Sequence, residues 1–83
     1  MSYKIEFTKS ALKFLKKQPT NQNIRLLSAI NKLPDGDTKK LKGDNEWYRL
    51  RVGDYRVIYT INNDILLITV INIGNRGQVY KDL

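Results

Sequence analysis

Two residue types that carry much of enzyme chemistry are absent from this sequence. Its 83 residues include neither cysteine nor histidine. Their absence excludes disulfides, thiolate and imidazole nucleophiles, Ser-His-Asp triads and the usual zinc ligand sets. Any catalysis by this chain must therefore use arginine, lysine, tyrosine, carboxylate or hydroxyl groups. A chain without cysteine is also compatible with a reducing cytoplasm.

Long apolar segments are also lacking. The first six residues, MSYKIE, contain no apolar signal-peptide core, and the apolar run that begins at Ile65 is too short and too β-branched for a membrane span. We therefore expect a soluble, cytoplasmic protein. The length of 83 residues suits one compact domain spanning residues 1–83.

Positive charge is what the sequence has in excess. Fifteen lysines and arginines face eight aspartates and glutamates, giving a formal net charge of +7. Such a balance favours polyanionic partners, with nucleic acid first and an acidic protein second. Four of the five arginines lie in or just after the predicted strands between residues 47 and 76, whereas the lysines lie elsewhere. Arginine is the residue suited to forked, oriented phosphate recognition.

The segment 47–59 predicts a β-hairpin with a two-residue turn at Gly53-Asp54. Because side chains alternate across a strand, one face of the hairpin is predicted to be core and the other a functional surface. The predicted core face carries Tyr48, Leu50, Val52, Tyr55, Val57 and Tyr59. The opposite face carries Trp47, Arg49, Arg51, Arg56 and Ile58.

The predicted register places like charges opposite one another. Arg51 faces Arg56 across the strands, a pairing that costs stability. The nearby acids Asp54 and Glu46 lie outside this row, so we expect an external anion, such as phosphate, to offset the repulsion. The alternative is that both guanidinium groups simply extend into solvent.

The remaining elements are predicted from periodicity and breakers. A strand over 3–7 precedes a helix that Thr8 caps and Pro19 stops. A second helix follows with Thr20 or Asn21 as its cap. Its inner stripe is predicted to be Ile24, Leu27, Ile30 and Leu33.

A turn at 62–64 leads to an apolar strand over 65–73 that is predicted to be central, flanked by the hairpin on one side and the first strand on the other. The C-terminal segment 78–83 is at most a short helix. The predicted fold is α+β with the order β-α-α-β-β-β and a short C-terminal helix. A two-helix hairpin packs on one face of a four-stranded, mainly antiparallel sheet.

The lysine-rich segment before the hairpin has two interpretations. Lys39, Lys40 and Lys42 could clamp an RNA backbone or could form a solubilising loop, and the sequence does not choose between them. With Trp47, which begins the hairpin, these lysines are the RNA-binding candidates.

Several segments at these spacings resemble one known family. They are Leu41-Lys42-Gly43, Trp47-Tyr48-Arg49-Leu50-Arg51, Gly53-Asp54-Tyr55-Arg56-Val57-Ile58-Tyr59, Ile73-Gly74-Asn75-Arg76 and Val79-Tyr80. Together they resemble the RelE/ParE superfamily of toxin-antitoxin toxins, and in particular its RelE-like mRNA interferase branch. The resemblance implies the α+β fold given above, a cognate acidic antitoxin and cleavage of messenger RNA in the ribosomal A site. We expect a largely disordered antitoxin that wraps the helices and covers or distorts the face that carries the arginines.

The resemblance also implies the catalytic residues, which would be Arg49, Arg51, Arg56, Arg76 and Tyr80. The implied reaction is attack of an RNA 2′-hydroxyl on the adjacent phosphate, without a metal or cofactor. Arg49 and Arg51 replace lysines of the best-known members, and arginine does not readily give up a proton. The general base therefore stays open among Lys42, Tyr80 and Glu46. Asn75 stands where many relatives carry histidine or a basic residue.

Two other functions remain open at this point. A ParE-like toxin would inhibit DNA gyrase without cutting RNA, and a non-catalytic module would only bind RNA.

Overall fold

The computed structural model describes residues 3–41 and 46–75. The predictions for Lys42, Arg76, Tyr80 and the short C-terminal helix lie outside the described residues. Among the described helices, none is long and apolar enough to cross a membrane.

The described residues form two helices and one five-stranded sheet of order β1-β5-β4-β3-β2. The elements are β1 (Lys4–Phe7), α1 (Lys9–Lys16), α2 (Thr20–Ile30), β2 (Thr38–Lys40), β3 (Trp47–Val52), β4 (Tyr55–Asn62) and β5 (Leu67–Asn75). β1 pairs in parallel with β5, and the other neighbours are antiparallel. The predicted α+β fold and the neighbours of the central strand are confirmed.

The sheet has one strand more than predicted. Thr38–Lys40 forms β2, which pairs with Leu50, Arg49 and Tyr48 of β3. No strand was predicted here, because three residues are too few to show strand alternation. Lysines on such a strand are common in natural edge strands, since their charge discourages pairing with another chain.

The start of α1 agrees with the sequence. The Thr8 hydroxyl oxygen accepts a hydrogen bond from the Ala11 N–H at 3.3 Å, as an N-cap does. The same hydroxyl donates to the Ile71 carbonyl and so joins the helix start to β5. Ala11 and Leu15 are buried against the sheet.

The sequence mispredicted the cap of α2 and two of the four positions of its inner face, whereas the predicted burial of Ile30 and Leu33 is confirmed. Pro19, not Thr20 or Asn21, is the N-cap residue, and no side chain caps this helix. The buried positions are Leu26, Ile30 and then Leu33, whereas Ile24 is 65% exposed and Leu27 is 37% exposed. Two overlapping apolar stripes fit the helical period, and packing against β3 selects the one that contains Leu26.

The hairpin follows the predicted register. Val52 pairs with Tyr55, Arg51 with Arg56 and Arg49 with Ile58. Gly53 has φ +59°, which suits the first position of a two-residue type II′ hairpin turn. On the core face, Leu50, Val52, Val57 and Tyr59 are all buried.

The turn before β5 is longer than predicted. Asn62 Oδ1 accepts hydrogen bonds from the N–H groups of Asp64 and Ile65 at 3.0 and 3.3 Å. These bonds hold residues 63–66 in the turn, so β5 begins at Leu67 and Ile65 is 64% exposed. An asparagine side chain that bonds to the following backbone in this way is a turn former.

The packing of α2 can be tested with two matched truncations. Leu26→Ala should lower the free energy of unfolding by about 2–5 kcal/mol, because it leaves a cavity in the core. Ile24→Ala should leave it nearly unchanged, because Ile24 is mostly exposed. Urea denaturation of both variants checks this, and equal losses would contradict the observed face.

Candidate nucleic-acid interface

Cationic side chains gather on the sheet face opposite the core. Two adjacent cross-strand rows hold them, one with Lys39, Arg49 and Ile58 and the next with Arg51 and Arg56. Side chains paired in this way share a face. We call Lys39, Arg49, Arg51 and Arg56 the arginine face.

Asp37 supplies a carboxylate to this face. Its Oδ1 lies 3.5 Å from Arg49 Nη1, and its Oδ2 lies 4.0 Å from Arg51 Nε. The Asp37 carbonyl also accepts hydrogen bonds from Arg49 Nη1 at 3.3 Å and from the Arg51 N–H at 3.0 Å. Asp37 therefore holds both arginines through its backbone as well as its side chain.

This contact corrects the expectation that only an external anion would offset the repulsion. Asp37 lies at the entry to β2, and it reaches the arginines because β2 pairs with β3. Because β2 was not predicted, nothing in the sequence indicated that Asp37 lies beside Arg49 and Arg51, which follow it by 12 and 14 residues. The shared Asp37 carboxylate is mostly exposed, so each ion pair contributes at most about 1 kcal/mol.

Arg56 is the most buried of the three arginines on the arginine face. It is only 8% exposed, and its pairing partner on β5 is Gly74, which has no side chain. Arg56 Nη1 donates to the Tyr55 carbonyl at 3.3 Å, and among the described residues Arg56 forms no ion pair. A guanidinium has five N–H donors and is costly to bury unpaired. Arg56 is therefore the cation of this face with the strongest need for an anionic partner.

The RNA-binding candidates divide between the two faces. Lys39 lies opposite Arg49 and so extends the arginine face, whereas Lys40 pairs with Tyr48 and belongs to the other face. Trp47 is partly buried and begins β3 two residues before Arg49, on the same face. Arg76, Tyr80 and Lys42 lie outside the described residues, so their place relative to this face stays a prediction.

Tyr59, which lies on β4 near the arginine face, belongs to the hydrophobic core. Burial raises the pKa of Tyr59, and a hydrogen bond with Thr38 lowers it less. The ring of Tyr59 stacks on that of Tyr48 with 5.6 Å between the ring centroids. Tyr59 therefore stays protonated at neutral pH and is no general base. In residues 3–41 and 46–75, acidic side chains do not cluster in the numbers that a metal ion needs.

Comparison with known proteins bears directly on this site. A family model described as the ParE toxin of the type II toxin-antitoxin system matches residues 5–80.

The chain belongs to the RelE/ParE superfamily of toxins.

Sequence relatives from Methanocaldococcus jannaschii place the chain near RelE proteins of this superfamily. It is 33% identical to RelE1 over an alignment of 89 positions, which covers 99% of both chains. It is 32% identical to toxin RelE3 over 85 residues, which cover 93% of this chain and 94% of the relative. The chain is thus a RelE-like type II toxin.

The fold of this RelE-like chain also matches a solved structure. The archaeal RelE-RelB complex from Pyrococcus horikoshii gives a TM-score of 0.77 at 31% identity. That match covers 94% of this chain and 99% of the solved one.

The contacts of Asp37 predict that removal of its charge increases the affinity for RNA. Asp37→Asn removes a negative charge between Arg49 and Arg51, so single-stranded RNA should bind more tightly. At low salt the gain should be roughly fivefold, since a unit charge pair about 4 Å apart is worth ~1 kcal/mol in water. Fluorescence anisotropy with a labelled oligonucleotide measures it.

Asp35→Asn is the matched control, because Asp35 is exposed in the same loop and forms no ion pair with the described residues. Equal affinities for the two variants would show that the Asp37 carboxylate does not limit anion binding.

Proposed function

We propose that this toxin is a ribosome-dependent endoribonuclease that cleaves messenger RNA in the ribosomal A site. The observation that carries the proposal is Arg56, a buried guanidinium without a carboxylate partner among the described residues, in a sheet face that also holds Arg49 and Arg51. A phosphate is an anion that such forked donors bind well. The family resemblance assigns these same arginines to RNA cleavage.

In the proposed reaction the RNA supplies the nucleophile and the side chains of the toxin supply the catalytic groups. The 2′-hydroxyl oxygen attacks the adjacent phosphorus, its proton passes to a general base, and the bond from phosphorus to the 5′ oxygen breaks. The products are a 2′,3′-cyclic phosphate and a 5′-hydroxyl, which takes up a proton as it leaves. Negative charge builds on the phosphoryl oxygens in the pentacoordinate transition state, and guanidinium groups fixed in place stabilise it.

The three arginines of the arginine face differ in how firmly their side chains are held. Arg56 is held by burial and by the Tyr55 carbonyl, and Arg49, with a side chain 16% exposed, is held by Asp37. Arg51 is half exposed and can turn from Asp37 towards a phosphate. We therefore assign Arg56 and Arg49 to fixed stabilisation of the transition state and Arg51 to capture of the incoming strand.

Two further catalytic residues are proposed on the resemblance. Arg76 follows Asn75, the last residue of β5, which pairs with Tyr55 next to Arg56. Tyr80 would stack on a base or orient the 2′-hydroxyl. Glu46, Lys42 and Tyr80 are the proposed candidates for the general base, and Glu46 is exposed just before β3.

The proposed partners are the ribosome, messenger RNA and a cognate acidic antitoxin. The similar chains from Pyrococcus horikoshii and Methanococcus jannaschii are in RelE-RelB complexes. The exposed apolar residues Leu12, Ile24 and Leu27 on the two helices support an antitoxin that covers the helical surface. These partners would place the toxin in the cytoplasm.

A second candidate function is inhibition of DNA gyrase. The family model that matches residues 5–80 is described as the ParE toxin, which favours it. The number of arginines on one face favours RNA cleavage instead, because inhibition by binding requires no stabilised phosphoryl transition state.

Removing Arg56 tests the proposed reaction. Arg56→Ala should lower the rate of mRNA cleavage roughly a hundredfold to a thousandfold, equivalent to about 2.7–4 kcal/mol of transition-state stabilisation. Primer extension on mRNA from a purified translation system measures the cuts.

Two further variants separate catalysis from folding. Arg51→Ala should also impair cleavage, and the half-exposed Arg51 is easier to replace than the buried Arg56. Lys4→Ala, in the edge strand β1, is the control and should cut like the wild type. Cleavage that persists in both arginine variants would refute this site, and intact transcripts with DNA damage would favour gyrase.

A further inference from the structure

A cleft lies between α2 and the turn end of the β3–β4 hairpin. Its volume is about 460 Å³, within the size range of sites for small molecules. The wall includes the apolar residues Ala29, Leu50 and Val52, and six further residues bear on the binding of a ligand. These are Arg25, Ser28 and Lys32 from the helical side, Arg51 and Gly53 from the hairpin, and Asp37.

The charge of the cleft is positive and largely unpaired. Three cations line it against one carboxylate, and Asp37 already contacts Arg49 and Arg51. Within residues 3–41 and 46–75, neither Arg25 nor Lys32 forms an ion pair. The cleft therefore favours binding of an anion that the described residues do not supply.

The guanidinium of Arg25 lies against the hairpin turn. It lies so close to Gly53 that a Cβ added there would be 2.7 Å from Nη2 and 3.0 Å from Cζ. Gly53 thus serves two purposes, since its φ of +59° makes the turn and its missing side chain makes room for the guanidinium. A planar guanidinium at this position can bind a phosphate through two N–H donors.

We propose that this cleft binds an RNA phosphate close to the site of cleavage. The inference rests on the proposed function and adds a substrate subsite to it. Arg51 belongs to both places, because it lines the cleft and also pairs with Arg56 on the arginine face. A strand that passes Arg51 can present one phosphate to the arginine face and a neighbouring one to Arg25, Ser28 and Lys32.

The phosphate can belong to messenger RNA or to ribosomal RNA, which share this chemistry. The experiment measures binding by the full chain in two arms, one with a single-stranded RNA oligonucleotide and one with ribosomes free of messenger. The variant is Arg25→Gln with Lys32→Gln. The control, Lys9→Gln with Lys16→Gln, removes the same charge from exposed positions of α1.

For messenger RNA, the cleft variant should bind the oligonucleotide roughly tenfold more weakly than the control at low salt. Its log-log salt dependence should be shallower by about 0.7 for each phosphate that the variant no longer neutralises. For ribosomal RNA, the same weakening appears with empty ribosomes instead. Either result supports the cleft as a phosphate site.

The proposal is overturned if the cleft variant matches the control in both arms. Lys32→Gln alone provides a second test should replacement of Arg25 disturb the hairpin turn, and thermal unfolding reports that disturbance. Failure of the proposed function has a different signature, since wild-type chain that binds RNA through the cleft without cutting it would refute the nuclease and leave the cleft in place.

Discussion

Cross-strand pairing of β3 with β4 places Arg51 directly opposite Arg56, and the contacts of the arginine face are arranged around that like-charged pair. The hairpin cannot relieve it by a shift in register. A slip of one residue would turn Leu50 and Val52 out of the core and the arginines into it. The core therefore enforces the repulsion, and the free energy of burying one face holds like charges together on the other.

Asp37 moderates that repulsion without cancelling it. One carboxylate lies among the four cations of the arginine face, and it contacts two of them at distances that are long for strong ion pairs. Arg56 receives no such partner from the described residues. The face thus keeps net positive charge in the folded protein, and a bound phosphate would relieve repulsion as well as gain hydrogen bonds.

The sequence predicts best those features that local rules decide. The hairpin register, the Thr8 cap and the apolar central strand all depend on alternation, turn residues or capping within a few positions. Prediction from sequence fails where tertiary packing decides between two local patterns that fit equally well. Leu26 and Leu27 both fit a helical stripe, and only contact with β3 buries the first and exposes the second.

The candidate site also combines features set by local rules with features set by tertiary packing. Pairing of Arg51 with Arg56 follows from the Gly53-Asp54 turn and was predictable. The position of Asp37 and the place of Lys39 on the arginine face depend on β2, a strand of three residues that carries no recognisable pattern. Arg25 likewise meets the hairpin only through the packing of α2, so no spacing in the sequence indicates it.

The parallel pairing of β1 with β5 bears on how this toxin is made. Lys4 lies beside Leu67, so the first strand of the chain is completed by the last described one. Until β5 has been synthesised, β1 has no neighbour in the sheet and the Thr8 hydroxyl lacks its acceptor at Ile71. Closing so long a loop is slow compared with forming local contacts. A partly translated chain that stops before β5 therefore lacks the finished sheet, and Arg56 then lacks the strand on which its partner Gly74 lies.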